Sequence, residues 1–284
     1  MIIIELFVKT YQLVKDNLIL VQPLLLFLML LGLVMAPVSM GGFNLAALFV
    51  IIGLYSAFGA GWYNMFHRCV KLSSAQELSA EEKAANTISL LKEFFPGVGK
   101  YFSKILVGFL VYIVLLFVVI NVIGGFIGAK YIGYPQSISS SELIQVLMHG
   151  DKSSEILNKI SEADKIKIWL WNGLSFILIS VTTYLTMFWS QAIISEDKNP
   201  LKAHFESLKT VLKRPFTSLI MFISYWGSIV GISFLSTKNS YGFIVHLLLL
   251  LVLTLTIVYF TMMMFLYFEK YRKNNNISWT NSFR

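Results

Sequence analysis

Residues 17–67 read NLILVQPLLLFLMLLGLVMAPVSMGGFNLAALFVIIGLYSAFGAGWYNMFH, a stretch without any Asp, Glu, Lys or Arg. A helix needs about 20 consecutive apolar residues to cross a bilayer, so this stretch is long enough for two crossings. Pro37 and the pair Gly41-Gly42 lie near its middle and predict a tight turn there. The stretch therefore predicts a membrane hairpin, with spans at about 18–38 and about 43–66.

The same exclusion of charge recurs further along the chain. Four more charge-free blocks are each long enough for one span, which we predict at about 105–127, 168–194, 219–235 and 244–268. The 284-residue chain is 56% hydrophobic and only 13% charged, with a mean hydropathy of +0.71, whereas about a quarter of the residues in soluble domains are charged. We therefore predict an all-α polytopic integral membrane protein with six transmembrane helices. The composition excludes a soluble enzyme, a disordered chain and a disulfide scaffold.

The distribution of basic residues predicts the orientation. Seventeen of the 23 lysines and arginines lie in the N-terminal segment, in 67–104, in 195–218 and in the tail, all on one side of the predicted spans. The positive-inside rule places that side and both termini in the cytoplasm, with the protein in the cell (inner) membrane. Basic residues beside the spans predict contact with anionic lipids. The chain lacks basic runs interleaved with aromatic residues, which argues against a nucleic acid partner.

One unit is predicted to occur three times: an amphipathic cytoplasmic segment, a span out and a span back. The amphipathic segments are 5–21, 89–107 and 205–221, and the hairpin units are 1–66, 67–194 and 195–268, followed by a cytoplasmic tail at 269–284. We expect each segment to form an interfacial elbow helix. Any six-span protein with an interior N-terminus also divides into three hairpins, so both a repeat and plain topology explain the pattern.

Helix-capping patterns predict short helices between the spans. A Ser followed three residues later by an acid satisfies free N–H groups at a helix start. The first predicted feature is an amphipathic helix at 2–16. A second helix is predicted from 80 to about 95, with the capping box Ser79-Ala80-Glu81-Glu82 at its start and Pro96-Gly97 at its end. A further capping box at Ser139 and Glu142 starts a helix that stops at Gly150, and Ser161 and Asp164 form a cap before the fourth span.

Small residues four apart predict close packing between helices. Such residues let backbones approach in lipid, where apolar contact alone drives little association. The pairs or stripes are Gly32/Ala36, Gly53/Ala57/Gly61, Gly124/Gly128 and Gly227/Gly231. We expect them to pack within the chain rather than to form a homodimer.

Polar residues inside the predicted spans are few and uncharged. Asn121 and Ser224 are the deepest, and we predict that they make interhelical hydrogen bonds. His246 lies about one turn into the sixth span, and we predict a hydrogen-bonded interfacial histidine rather than a proton relay.

The sequence carries no recognisable hydrolase, nucleotide-binding or metal-ligand motif, so we predict no catalytic residue, cofactor or metal. The single cysteine, Cys69, is expected to be a thiol at a helix end.

The stretch from Gln191 to Tyr225 reads QAIISEDKNPLKAHFESLKTVLKRPFTSLIMFISY. With Glu196-Asp197, Pro200, Ala203 and Ser207 it resembles the elbow of poorly characterised bacterial six-span proteins related to the membrane domain of glycerophosphoryl diester phosphodiesterases. The resemblance implies fold and location. Hydrolysis is not carried over, because the chain lacks the phosphodiesterase domain.

The elbow residues have a direct physical interpretation. Pro200 is placed to start a helix, and Ala203 and Ser207 fall one turn apart on its packing face. We predict that basic residues beside the spans face anionic head groups, namely Lys100, Lys104, Lys213 and Arg214.

These features predict a non-catalytic accessory or scaffold protein that organises lipids or partner membrane proteins. The alternative is a permease or channel for a small or lipophilic solute, with Asn121, Ser224 and the glycine stripes along its path. An enzyme acting on lipid head groups ranks third, since no residue set supports it.

Overall fold

The structure is a computed structural model that describes residues 2–41, 45–73, 88–134, 160–236 and 242–271. Six of its helical segments are long and apolar enough to cross a membrane, and the part of the chain within these ranges contains no strand. The prediction of an all-α polytopic protein is confirmed. The predicted features that lie outside the described residues are the capping boxes at 79–82 and 139–142, the stop at 150 and the tail beyond 271. The turn predicted at Pro37 and Gly41-Gly42 is wrong in its first part, because Pro37 and Gly41 lie within the helix Val21–Gly41, and Gly42 lies outside the described residues.

Each predicted span corresponds to a helical segment, and each elbow precedes an outgoing span. Elbow one is Ile2–Asp16, residues 88–92 are the described part of elbow two, and elbow three is Pro200–Lys213. Span one is a 3-10 turn at Leu18–Leu20 followed by the helix Val21–Gly41, and span two is Leu45–Ser73. Span three consists of three consecutive parts, the helix Phe94–Val118, a π-helical segment at Val119–Gly124 and the helix Gly125–Tyr131, and span four consists of the helices Glu162–Thr186 and Trp189–Glu196. Span five is Pro215–Ser236, and span six is Phe243–Leu266 with a π-helical end at Tyr267–Tyr271.

The prediction that Pro96-Gly97 ends a helix is wrong. Both residues lie in the first turn of span three, which begins at Phe94. A proline is tolerated there because the first N–H groups of a helix have no partner within it. Gly97 is a contact site, since an added Cβ would lie 2.6 Å from the Cβ of Asn64 on span two.

The start of span four agrees with the sequence, but its continuity does not. The Ser161 side chain caps the helix by accepting a hydrogen bond from the backbone N–H of Asp164, as predicted. The predicted continuous helix over 168–194 is interrupted at Met187 and Phe188. The cause is a contact with elbow three that the local sequence does not encode, described below.

The buried core lies toward the side of the molecule that carries the elbows, which we call the elbow side. Span six is buried from Val258 to Phe268 more than at its start, and span five buries Ser218 and Met221 at its elbow end. The opposite ends, which we call the far side, expose apolar residues such as Val230 and Leu247. Because a bilayer covers apolar surface, this arrangement is compatible with a membrane and leaves the far-side faces unpaired within the described residues.

Spans two and three make the closest helix pair. The carbonyl oxygen of Phe94 would lie 2.8 Å from a Cβ at Gly61, and the Tyr55 and Phe109 rings meet at 5.2 Å. These spans belong to different predicted hairpin units, so the packing joins units as well as the two halves of a hairpin.

Candidate functional site

Three return spans end at one polar cluster on the elbow side. Span two contributes His67, span four contributes Ser195, and span six contributes Glu269. The Ser195 hydroxyl donates to Glu269 Oε1 (3.0 Å) and lies 3.2 Å from His67 Nδ1, which also contacts Glu269 Oε1. The His67 and Glu269 side chains are only 10% and 15% exposed. The cluster therefore ties together the ends of spans that are far apart in sequence.

The cluster has the residue types of a serine hydrolase relay but not its geometry. In such a relay the imidazole uses one nitrogen for the serine and the other for the acid. Here both contacts involve Nδ1, and the Ser195 hydroxyl donates its proton directly to the carboxylate. This geometry differs from that relay, and its contacts join the ends of the three spans.

Sequence analysis did not find this cluster. His67, Ser195 and Glu269 are far apart in sequence and form no recognisable motif. Cys69, two residues after His67, is buried. The available signal was positional, because each residue lies just past the last apolar turn of a return span. Among the described residues, no group of three or more His, Cys, Asp or Glu side chains is arranged to hold a metal ion.

The three elbows join their spans through the same backbone junction. At each one, a backbone N–H donates to the carbonyl three residues earlier, and the acceptor residue is buried. The pairs are Asn17 to Val14 (3.1 Å), Glu93 to Leu90 (3.1 Å) and Arg214 to Val211 (3.2 Å). Asn17 and Arg214 also share a backbone conformation outside the helical region, with φ/ψ of −134°/49° and −143°/66°. Glu93 keeps a helical conformation, with φ/ψ of −75°/−10°, so all three junctions share the hydrogen bond but only two share the backbone conformation.

At each junction, a side chain of a return span donates a hydrogen bond to a backbone carbonyl. The Trp62 indole N–H donates to the Leu20 carbonyl (2.8 Å), the Asn64 amide to the Glu93 carbonyl (3.0 Å), and the Tyr184 hydroxyl to the Pro215 carbonyl (2.8 Å). The Glu93 carbonyl also accepts from the Gly97 N–H (3.1 Å), so the side-chain bond there adds to a helical one. The return spans thus hold the elbows in place.

Elbow three explains the interruption of span four. Pro200 begins this helix after the Asn199 cap, and Ala203 and Ser207 are fully buried, in agreement with their predicted placement. The Ser207 hydroxyl accepts from the Phe188 N–H (2.9 Å) and donates to the Leu185 carbonyl (3.1 Å). One side chain therefore bonds to one N–H group and one carbonyl of the backbone at the interruption.

His204 lies one helical turn before Ser207 and fits against span three. Its Nε2–H donates to the Gly108 carbonyl (3.0 Å), and its ring stacks on Trp189 with centroids 5.4 Å apart. Nδ1 is buried and has no hydrogen-bond partner among the described residues. Burial lowers the pKa of His204, and the hydrogen bond to Gly108 opposes this only in part. The structure therefore favours a neutral imidazole.

The predicted lipid-facing cations have different surroundings. Lys104 pairs with Asp197 (2.7 Å), and its hydrogen bond lowers the pKa of that carboxyl group. Lys100 is exposed beside the Tyr101 ring, and Lys213 is exposed at the end of elbow three. Arg214 is half-buried, and its Nη1 has no hydrogen-bond partner among the described residues.

The polar residues predicted inside the spans do not come together. The Asn121 amide donates to the Phe117 carbonyl of its own helix (2.8 Å), so the predicted interhelical bond is wrong there. The bond between spans three and four joins Tyr112 and Thr183 instead (2.7 Å). At Ser224, the backbone carbonyl accepts a hydrogen bond from the Ser228 hydroxyl of the same helix.

His246 lies at the far-side end of span six. Its ring nitrogens are 3.3 Å from the Gly242 carbonyl and 3.2 Å from the Ser236 carbonyl. It therefore bridges the ends of spans five and six at an exposed position, as expected for an interfacial histidine.

Comparison of the chain with models of protein families, with curated proteins and with solved structures finds no match. The resemblance to the membrane domain of glycerophosphoryl diester phosphodiesterases therefore stays a prediction, and the proposed function below is based on the contacts of the described residues.

Proposed function

We propose that the protein is a non-catalytic accessory or scaffold protein that organises partner membrane proteins or lipids. The observation that carries the proposal is a contrast between glycines. An added Cβ would come within 2.5 Å of Trp189 at Gly108 and within 2.1 Å of Trp171 at Gly128, but would meet no heavy atom within 4 Å at Gly227 or Gly231. Small residues four apart on an open helix face suit a second helix in lipid.

The use of the polar side chains also supports this proposal. At the elbow side, the indole of Trp62, the amide of Asn64 and the hydroxyls of Tyr184 and Ser207 all donate to backbone carbonyls. These bonds hold a frame whose far-side faces remain available to other membrane components.

Site-specific crosslinking tests the proposal. A photoreactive phenylalanine derivative at Val230, which is 61% exposed on span five, should yield a product with another membrane protein in native membranes. The same derivative at Phe176, 72% exposed on span four, is the matched control and should yield much less. Gly227→Leu should reduce the Val230 product by removing the close approach. Equal products from both positions, unaffected by Gly227→Leu, would contradict a specific partner.

A permease or channel is the second candidate. The π-helical segment of span three, Val119–Gly124, contacts span four, and both π segments and interrupted helices recur at transport sites. Purified protein in liposomes should then move a small or lipophilic solute, and Asn121→Leu should change the rate. Under the scaffold proposal, Asn121→Leu should have almost no effect on the function of the protein.

We also propose that both termini face the cytoplasm from the cell (inner) membrane, with anionic lipids around the elbows. The excess of basic residues on the terminal side supports this orientation. A reporter active only in the cytoplasm should be active when fused after Arg284. Activity of a reporter that works only outside the cytoplasm would contradict the orientation.

A further inference from the structure

A cleft of about 500 Å³ opens between elbow one, the start of span one, and spans five and six. Val14 and Leu18 form one wall, and Val252, Leu255 and Phe260 form the other. Its volume lies in the usual range of ligand sites, about 300 to 1,000 Å³. The span-six residues cover two helical turns, about 12 Å along the helix axis.

Three of the four hydroxyl groups that line this cleft donate to backbone carbonyls, and the fourth belongs to Tyr11, which is 61% exposed. Thr256 donates to the Val252 carbonyl (2.8 Å), Ser228 to the Ser224 carbonyl (2.7 Å), and Tyr259 to the Phe7 carbonyl (3.0 Å). The walls therefore favour hydrocarbon over a polar solute, which would need those donors.

Lys15 supplies a cation at the edge of the cleft. It is exposed, lies on the elbow side, and forms no ion pair with a described carboxylate. Lys9, on the same helix, instead pairs with Glu5 at 2.6 Å. An apolar trough with one free ammonium group at its polar end complements an acyl chain attached to a phosphate.

We propose that this cleft binds one anionic phospholipid, with an acyl chain along span six and the phosphate at Lys15. The proposal rests on the lipid-organising part of the proposed function. Its failure would leave the partner crosslink at Val230 unaffected, so the two proposals are separable.

Native mass spectrometry of the full chain in detergent tests this site with added phosphatidylglycerol and phosphatidylcholine. Phosphatidylglycerol should bind more tightly. Lys15→Gln should weaken its binding about fivefold, the effect of one basic residue near a charged membrane surface, and should leave phosphatidylcholine unchanged. Lys9→Gln is the matched control and should change neither.

Filling the cleft is the second arm of the test. Thr256→Trp, and separately Val252→Trp at a 48% exposed position, should reduce binding of both lipids without lowering the thermal unfolding temperature. Phosphatidylglycerol binding that is the same in Lys15→Gln and Thr256→Trp as in the unaltered protein would overturn the proposal. A dimer that Thr256→Trp abolishes with no change in lipid binding would show that a second copy fills the cleft, and would also overturn it.

Discussion

Ser207 occupies the position where elbow three meets the interruption of span four. Its hydroxyl contacts the Phe188 N–H and the Leu185 carbonyl, and the residue is fully buried. The sequence predicted that Ser207 faces inward, because it lies one turn after Ala203. It did not predict the partner, because the partner is an interruption of span four about 20 residues earlier in the chain.

Replacing Ser207 with alanine should lower the free energy of unfolding by about 1–3 kcal/mol, because it leaves buried backbone groups unsatisfied. Ser236→Ala is the control, since that exposed hydroxyl bonds only to the Ser233 carbonyl of its own helix, and should change stability by less than about 0.5 kcal/mol. Unfolding in mixed detergent micelles measures both. A Ser207→Ala protein as stable as Ser236→Ala would contradict the role of the hydroxyl.

His204 should make stability depend on pH. Burial lowers its pKa from the usual 6.5, so the unfolded chain takes up a proton at a higher pH than the folded protein does. Stability from this group is therefore fully present above about pH 6.5 and decreases as the pH falls through the lower, folded-state pKa. Unfolding followed between pH 7.5 and 5 should show a fall that is smaller in His204→Phe. Identical pH profiles for the unaltered protein and His204→Phe would show that His204 does not cause the pH dependence of stability.

At the scale of elements, glycines with similar spacing behave differently. Gly124 and Gly128 lie against Leu178 and Trp171 of span four, whereas Gly227 and Gly231 face open space. Sequence spacing predicted close packing for all such glycines, and the structure confirms it where a neighbouring span approaches. The spacing alone cannot distinguish the two cases, because a helix carries the same pattern whether or not another helix packs against it.

Alanine at Gly108 should lower the free energy of unfolding of the purified protein by about 1–3 kcal/mol, because the methyl group would overlap the Trp189 ring. Gly227→Ala is the matched control and should leave stability unchanged or raise it by up to about 1 kcal/mol, since alanine favours a helix. Thermal unfolding of both proteins measures the difference. Equal loss of stability in the two variants would contradict the packing at Gly108.

The elbows show which parts of an element the sequence encodes. Charge and apolar spacing predicted the helix at 2–16 with the bounds that the structure gives, and Pro200 predicted the start of elbow three. The continuation of span three back to Phe94 was not predicted. The local propensity of Pro96-Gly97 predicts the end of a helix. In the structure the helix continues through both residues, and Gly97 packs against Asn64 of span two.

At the scale of the whole molecule, the ends of spans two, four and six meet through His67, Ser195 and Glu269. These spans lie in three different hairpin units, so the cluster is a long-range tie of the elbow side. Removing one partner leaves the other side chain buried and without its contact, and residues in one network are energetically coupled.

A double-mutant cycle with His67→Ala and Glu269→Ala should therefore give a coupling energy of about 0.5–3 kcal/mol. The exposed pair of Lys165 and Glu162, with side chains 43% and 85% exposed, is the control, and its coupling should stay below about 0.5 kcal/mol. Additive losses at His67 and Glu269 would mean that the cluster does not tie the spans.

The sequence by itself determined the membrane class, the six spans and the elbows, because the cost of placing charge in hydrocarbon is large and local. Only the tertiary structure decided which polar groups meet, where span four is interrupted and which glycines lie beneath a neighbour. Those outcomes depend on contacts between residues distant in sequence, such as His67 with Glu269 and Ser207 with Phe188. A hydrophobic pattern carries no information on which helix lies beside which.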